Sequence, residues 1–202
     1  MSQAVLPESQ SGRVKLLAAT PPAWVELVLQ QFDRFLLDHA SAERKASAMA
    51  VSFVVQYPDK YELHTPLIRL AREELLHYQQ VMKLIQERGL IWERDEKDPY
   101  IRQLLDRLST DRSTRLLDRL LLGGVVEARG VERFGLIGQH HPDPEMRSFY
   151  ARLSKSEAGH ADLFPDLAAH YFEADEIAQR LQLWLQWEAE AMDQLELRPV
   201  LH

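Results

Sequence analysis

Apolar residues recur every three to four positions along most of the chain, and the two-residue alternation of strands is scarce. This period predicts helices. Thr20-Pro21-Pro22 is a favourable helix start, and Trp24, Val25, Val28 and Leu29 form an apolar face behind it. The pattern resumes after Asp33 through Phe35, Leu36, His39, Glu43, Ala46, Ala50 and Phe53, so helix A is expected to reach Tyr57-Pro58-Asp59. It stops there because a residue before proline avoids helical geometry. Helix B is expected from Thr65-Pro66, a cap followed by Pro at the first helical position, to Arg88, with Gly89 as C-terminal cap. A connecting helix is expected over Pro99–Leu108. Helix C follows from caps within Ser109–Ser113 to about Ile137. His140-His141-Pro142-Asp143-Pro144 breaks the chain, and both histidines are expected in solvent. Helix D then runs to about Tyr171, with a kink at Pro165. A last amphipathic helix spans Asp175 to about Met192, with Leu181, Trp184, Leu185 and Trp187 on its apolar side.

The A–B and C–D turns are short, so each pair is an antiparallel hairpin, whereas the B–C connection is long. One long crossover between two helical hairpins is the ferritin-like pattern. The expected fold is all-α: a ferritin-like four-helix bundle with additional flanking helices. At 202 residues, one domain over 1–202 is expected, with 1–18 a mobile N-terminal arm. No apolar run is long enough to span a bilayer, and the N-terminus lacks the apolar block of a secretory signal, so a cytoplasmic location is expected.

The chain has no cysteine, which excludes disulfides, zinc–thiolate sites and Cys-ligated clusters. Its formal charge of −7 argues against a protein devoted to gripping nucleic-acid backbone. That charge includes acidic residues that a metal would neutralise.

Glu74-Leu75-Leu76-His77 falls in helix B and Glu157-Ala158-Gly159-His160 in helix D. Three residues along a helix return to nearly the same face, so a Glu and a His at that spacing can ligate one ion. Alone the motif is weak, because 18 Glu and 8 His make a chance match unsurprising. Its placement is more informative. Glu43 lies 15 residues before Pro58 and Glu74 lies 16 after it; Glu127 and Glu157 lie 15 residues on either side of Pro142. At 1.5 Å per residue all four stand roughly 22 Å from their turns. Antiparallel packing then sets Glu43 beside Glu74 and Glu127 beside Glu157. One Glu from each of two helices plus Glu-x-x-His from each of two others is the di-iron or di-manganese carboxylate arrangement.

Four buried carboxylates would repel one another, and two divalent cations remove that repulsion. Oxygen and imidazole donors without thiolate suit iron or manganese, with zinc still possible. The other reading, charges on solvated helix faces, is opposed by the neighbours. Glu43 sits among Ala40, Ala42, Ala46, Ser47 and Ala50, and Glu127 follows the apolar run Leu121–Val126. Glu132 is an alternative to Glu127 with a poorer distance from the turn, and Glu73 is an alternative to Glu74 without the histidine. His39, one turn before Glu43, could be a ligand or orient one; a hydrogen-bonded core role is the commoner use. Gly123-Gly124 and Gly159 would leave space near the metals or allow close helix packing.

The segments LLDHASAERKASAMA, REELLHYQQV, VVEARGVERF and SEAGHADLF, on helices A to D, together resemble the MiaE family of tRNA hydroxylases over about residues 20–190. Glu127-Ala128-Arg129 followed by Glu132-Arg133-Phe134 is the more distinctive part. The chain departs from the usual family pattern at Gly130 and Val131, where a Ser and a Cys are usual, and at Ala42, where a Cys is expected; none of these is a ligand. The resemblance implies an O2-dependent non-haem di-iron monooxygenase. Its substrate would be the isopentenyl group of 2-methylthio-N6-isopentenyl-adenosine in tRNA. Two irons would be held by Glu43, Glu74, His77, Glu127, Glu157 and His160, and electrons would come from an external reductase or ferredoxin. The alternatives are a ferritin-like or rubrerythrin-like iron-binding or ferroxidase protein, or a di-iron hydroxylase of a small lipid or quinone. Seven Arg against five Asp or Glu lie between Arg102 and Arg133, and Arg112, Arg115 and Arg119 fall at helical spacing. They form a candidate phosphate-contacting stripe. The alternative is a solvated face paired with Asp111 and Asp118.

Overall fold

A computed structural model describes residues 14–92, 95 and 97–202. It is all-α: eight helices and no strand occur among the described residues. The chain divides into two compact units. One holds described residues 27–92, 95 and 198–201, the other 14–26, 97–197 and 202.

The first of these units is a helical hairpin. Helix α1 (Pro22–Gln30) precedes α2 (Phe32–Gln56), so the expected helix A is interrupted at Gln31. No proline or glycine marks the interruption. The apolar spacing runs through it, which is why the sequence read as one helix. Helix α3 (Tyr61–Glu87) begins four residues earlier than expected, and Pro66 lies inside it rather than at its start. Pro66 has no N–H to give to the carbonyl of Glu62, and Glu62 is in the exposed first turn where water can serve it. Gly89, at φ 65°, takes the left-handed conformation expected after the helix end. Phe35, Leu36, Phe53, Leu63, Leu67, Leu70 and Val81 form the buried seam between α2 and α3. Ala40 and Ala50 let the backbones approach, and Ser47 Oγ donates to the Ala71 carbonyl at 2.8 Å.

In the other unit α5 (Arg112–His140) packs against α6 (Pro144–Glu157), α7 (His160–Ala168) and α8 (Ala174–Gln194), and α4 (Pro99–Leu105) packs on α8. Side chains cap three of these helices: Asp98 for α4, Asp111 for α5 and Asp143 for α6. The expected helix D is two helices. The break falls at Ala158-Gly159, between the motif residues Glu157 and His160, and not at Pro165. Pro165 denies the Ala161 carbonyl its helical donor, and Gly159 is the weakest helix former in the turns before it, so the distortion settles six residues upstream. His140 is exposed as expected, but His141 is buried, its Nδ1 accepting from the Asp143 N–H at 3.0 Å. Of the arm expected over 1–18, residues 1–13 lie outside the described residues. Residues 14–18 are not free: Val14 and Leu16 are buried, and the Val14 N–H reaches Asp162 Oδ1 at 3.3 Å. Among the described residues no helix is long and apolar enough to cross a membrane.

Candidate metal centre

Each unit carries one half of the expected ligand set. On the hairpin, α2 presents Glu43 and α3 presents Glu74 and His77, all buried. One ligand atom from each lies within 4.8 Å of the others. His77 Nδ1 stands 3.8 Å from Glu74 Oε2 and 3.9 Å from Glu43 Oε2. These spacings are too long for hydrogen bonds. They fit donors sharing an ion at about 2.1 Å, whose mutual separations cannot exceed roughly 4.2 Å. His39, fully buried one turn before Glu43, meets Glu43 Oε1 through Nε2 at 2.6 Å. It is the hydrogen-bonded core histidine of the commoner reading, and it holds the Glu43 carboxylate in place.

In the other unit α5 presents Glu127, α6 ends on Glu157 and α7 begins on His160. Their ligand atoms also lie within 4.8 Å of one another. Glu157 and His160 are buried and in direct contact through Oε2 and Nδ1, and Glu127 is half-buried. The break at Ala158-Gly159 separates the two motif residues into different helices yet leaves both side chains on the cluster.

Glu132, the alternative to Glu127, is used elsewhere. Its carboxylate accepts from the Thr20 N–H (2.9 Å) and Thr20 hydroxyl (2.6 Å) and pairs with Arg129. Arg129 also donates from Nε to Glu188 Oε1 at 2.8 Å, and Tyr100 OH donates to the same oxygen at 3.0 Å. This fully internal network begins two residues after Glu127. Burial pulls the Arg129 guanidinium down, but the charges of Glu188 and Glu132 outweigh it and hold it above its ordinary value. Arg133 is pushed down to about 10 by burial, with the like charge of Arg129 adding to the effect. Burial, then the Glu188 charge, raises the Tyr100 hydroxyl well above its usual range. Sequence reasoning missed Glu188. The signal was available: it falls on the stripe Ile177, Leu181, Trp184, Glu188, Ala191, a charge at an apolar position.

The glycines divide. A Cβ on Gly123 would stand 2.7 Å from the Phe164 ring, and one on Gly124 2.7 Å from the Ala161 carbonyl oxygen, so this pair serves close packing of α5 on α7. Nothing lies within 4 Å of a Cβ at Gly159, which is exposed to solvent. Of the arginine stripe, Arg112 and Arg115 are exposed and Arg119 is half-buried. Neither expected acidic partner is spent on it in the way supposed. Asp111 caps α5 through Thr114 N at 2.9 Å, and buried Asp118 accepts from Arg180 and from Trp184 Nε1 at 3.0 Å.

The family model described as "tRNA-(MS[2]IO[6]A)-hydroxylase (MiaE)" matches residues 9–202. The chain belongs to the MiaE family of tRNA hydroxylases. A MiaE-family relative from Pseudomonas putida, named tRNA 2-(methylsulfanyl)-N(6)-isopentenyladenosine(37) hydroxylase, is 35% identical over 164 residues, covering 81% of this chain and 80% of its own. A second with the same name, from Salmonella typhimurium, is 30% identical over 124 residues, covering 61% of this chain and 45% of its own. Among solved structures, the "Protein 43 with aldehyde deformylating oxygenase activity from Synechococcus" is similar at TM-score 0.88 and 35% identity, over 93% of this chain and 94% of that one. The all-α, ferritin-like class expected from the helix pattern is the class of this MiaE-family chain.

Proposed function

We propose that the two triads act together, within a single ferritin-like domain, as a di-iron centre held by Glu43, Glu74, His77, Glu127, Glu157 and His160. In this reading the protein is an O2-dependent monooxygenase that hydroxylates the isopentenyl group of 2-methylthio-N6-isopentenyl-adenosine in tRNA. The observation that carries it is the duplicated Glu/Glu/His cluster, one per unit, in a MiaE-family chain. The donor set suits iron: carboxylate oxygens and imidazole nitrogens with no thiolate. Four carboxylates also balance two divalent ions, so filling the site removes the cost of gathering like charges in a buried place.

Irons held there would supply the reductive activation of O2 that attack on an unactivated C–H bond requires. The balance is R–H + O2 + 2 electrons + 2 protons → R–OH + water, with the electrons delivered by an external reductase or ferredoxin. The chain's own residues do the rest. His39 fixes Glu43 through its hydrogen bond, as a group behind a ligand does. The apolar seam around Glu74 and His77 keeps bulk water from that cluster. Arg112, Arg115 and Arg119 offer phosphate contacts to the tRNA, whose anticodon-loop bases are accessible without opening a duplex. A tRNA substrate and the lack of a membrane-spanning helix among the described residues fit action in the cytoplasm.

A second reading, a di-iron oxygenase of a small lipid, is favoured by the similarity to a protein with aldehyde deformylating oxygenase activity. Mass analysis of tRNA nucleosides from cells with and without the protein separates the two. Loss of the hydroxylated nucleoside and accumulation of its unhydroxylated precursor are expected. An unchanged nucleoside profile, with turnover of an aldehyde by the purified iron-loaded protein, would move the assignment to the lipid reading. Rapid iron oxidation by a large oligomer would move it to a ferroxidase.

A further inference from the structure

Helix α3 buries the proposed ligands Glu74 and His77 on its inner face and leaves an apolar strip in solvent on its outer one. Tyr61, Ile68, Leu75 and Leu76 are 76%, 47%, 49% and 55% exposed. Leu75 and Leu76 lie between the two motif residues in sequence. At 100° per residue they project from the side of the helix opposite Glu74 and His77. A group resting on them is therefore about one helix diameter, ~10 Å, from the donor atoms of that triad. The other helices that carry proposed ligands offer no such face. Beside Glu43, Arg44 is drawn onto Trp92 and Asp95. Helix α5 packs against α6, α7 and α8. Between Glu157 and His160 the exposed positions are Ala158 and Gly159, which are small.

Charge on the strip is one-sided. Arg72 stands in its middle, one turn from Ile68, Leu75 and Leu76, with Arg69 one turn before it. Both arginines are exposed and enter no ion pair or side-chain hydrogen bond among the described residues. From Tyr61 to Lys83 no acid falls within about 60° of Arg72 around the helix axis, and Glu62 and Glu73 stand about 80° and 100° away on one flank. Lys83 is paired with Glu87 at 3.6 Å. An apolar centre bearing unengaged arginines, with acids only at its margin, fits an acidic protein. Its size selects the class of partner. A stable dimer of this chain would need ~800 Å² per copy from about 20–30 residues, whereas transient electron-transfer encounters are the smaller class. Four apolar side chains on one helix suit the smaller class. Ile68, Leu75 and Leu76 are aliphatic and give a nucleotide base no aromatic face to stack on.

We propose that this face of α3 is the docking site of the electron donor, an acidic one-electron carrier protein whose carboxylates meet Arg69 and Arg72 and whose apolar contact covers Leu75 and Leu76. The proposal rests on the monooxygenase reading above and names the partner surface of that centre. Two reduced carriers dock in turn and each is oxidised by one electron. Together they supply the two electrons that one hydroxylation consumes, and the two protons come from solvent. Electron transfer through protein falls steeply with distance, so a donor is useful only where the centre lies close beneath the surface. One turn of α3 meets that condition, because it carries both two proposed ligands and the carrier's seat.

The test is binding of two acidic carriers, a [2Fe–2S] ferredoxin and a flavodoxin, to the full-length iron-loaded protein, by isothermal titration calorimetry at several salt concentrations. At least one is expected to bind, with an affinity that falls as salt rises. Arg72→Glu is expected to weaken that binding by more than about tenfold and Leu76→Ser by roughly tenfold, while Arg72→Lys keeps most of it. Iron content and melting temperature of each variant should match the parent protein, since both positions are exposed and neither is a proposed ligand. Carrier-driven hydroxylation by Arg72→Glu should show a raised KM for the carrier. Equal binding by the parent and the variants, or no binding of either carrier, overturns the docking face. A parent dimer that Leu76→Ser dissociates, without carrier binding, overturns it in favour of a second copy of the chain. Binding of an anticodon stem–loop that is lost in Arg72→Glu, with carrier binding unchanged, overturns it in favour of RNA. Each of these outcomes leaves the monooxygenase reading standing. That reading fails separately, if the parent protein reduced with dithionite and given O2 hydroxylates no precursor nucleoside in tRNA.

Discussion

At the scale of single residues, the chemistry rests on side chains that burial and a neighbour hold in one state. His77 and His160 are each the only imidazole in their triad. His77→Ala and His160→Ala are therefore each expected to weaken iron binding by more than about a hundredfold and to abolish hydroxylation, with far-UV circular dichroism unchanged. Full iron occupancy in either variant would show that the ligand assignment is wrong. All six proposed ligands were named from the sequence, because Glu-x-x-His and the turn distances are local properties of helices. The partner of Glu132 was not. Thr20 is 112 residues away from it, and no local spacing could show that this carboxylate is spent on Thr20 and Arg129 rather than on a metal.

At the scale of elements, the glycines of α5 and the break before α7 make opposite demands. Gly124→Ala places a methyl group against a backbone carbonyl that cannot move aside cheaply, and a loss of about 1–3 kcal/mol in unfolding free energy is expected. Gly159→Ala meets nothing, at a φ of −86° that alanine accepts, and is expected to gain about 0.4–1 kcal/mol. Urea titration of the two variants checks both signs. The start of α5 is sensitive to acid. Hydrogen bonds from Ser113 and Thr114 hold the Asp111 carboxyl down at about 2, below its ordinary 3.8. A carboxyl lowered by folding contributes stability above its unfolded pKa, and that contribution disappears as pH falls through the folded value. Stability conferred by Asp111 should thus be intact above pH 4 and fade toward pH 2. Asp111→Asn should flatten the stability profile in that window, and an unchanged profile would remove Asp111 from the account. The cap of α5 within Ser109–Ser113 and the C-terminal Gly89 were readable from residue type, whereas the cap expected at Thr65 lies inside α3, which starts after Lys60. The breaks at Gln31 and Gly159 were not readable, since the apolar spacing continues through the first and a proline six residues downstream drew attention from the second.

At the scale of the whole molecule, the proposed centre would gather four carboxylates, which two divalent cations make tolerable. Iron binding to the folded chain and not to the unfolded one should stabilise it by about 4 kcal/mol at a thousandfold excess over Kd, roughly a 10 °C rise in melting temperature. Differential scanning calorimetry of the protein with ferrous iron under anaerobic conditions, and after chelation, measures this. Identical melting temperatures would contradict a six-ligand centre. The all-α class, the two hairpins and the proposed donor set followed from the sequence alone, because helical period and rise repeat along any chain and set where residues fall relative to a turn. Tertiary structure alone decided which charges are spent internally. Asp118 is given to Arg180 and Trp184, and Glu188 to Arg129 and Tyr100. It also decided which glycines are filled by a neighbour. Each of these depends on residues far apart in sequence meeting at side-chain distance, and helical periodicity carries no information about such meetings.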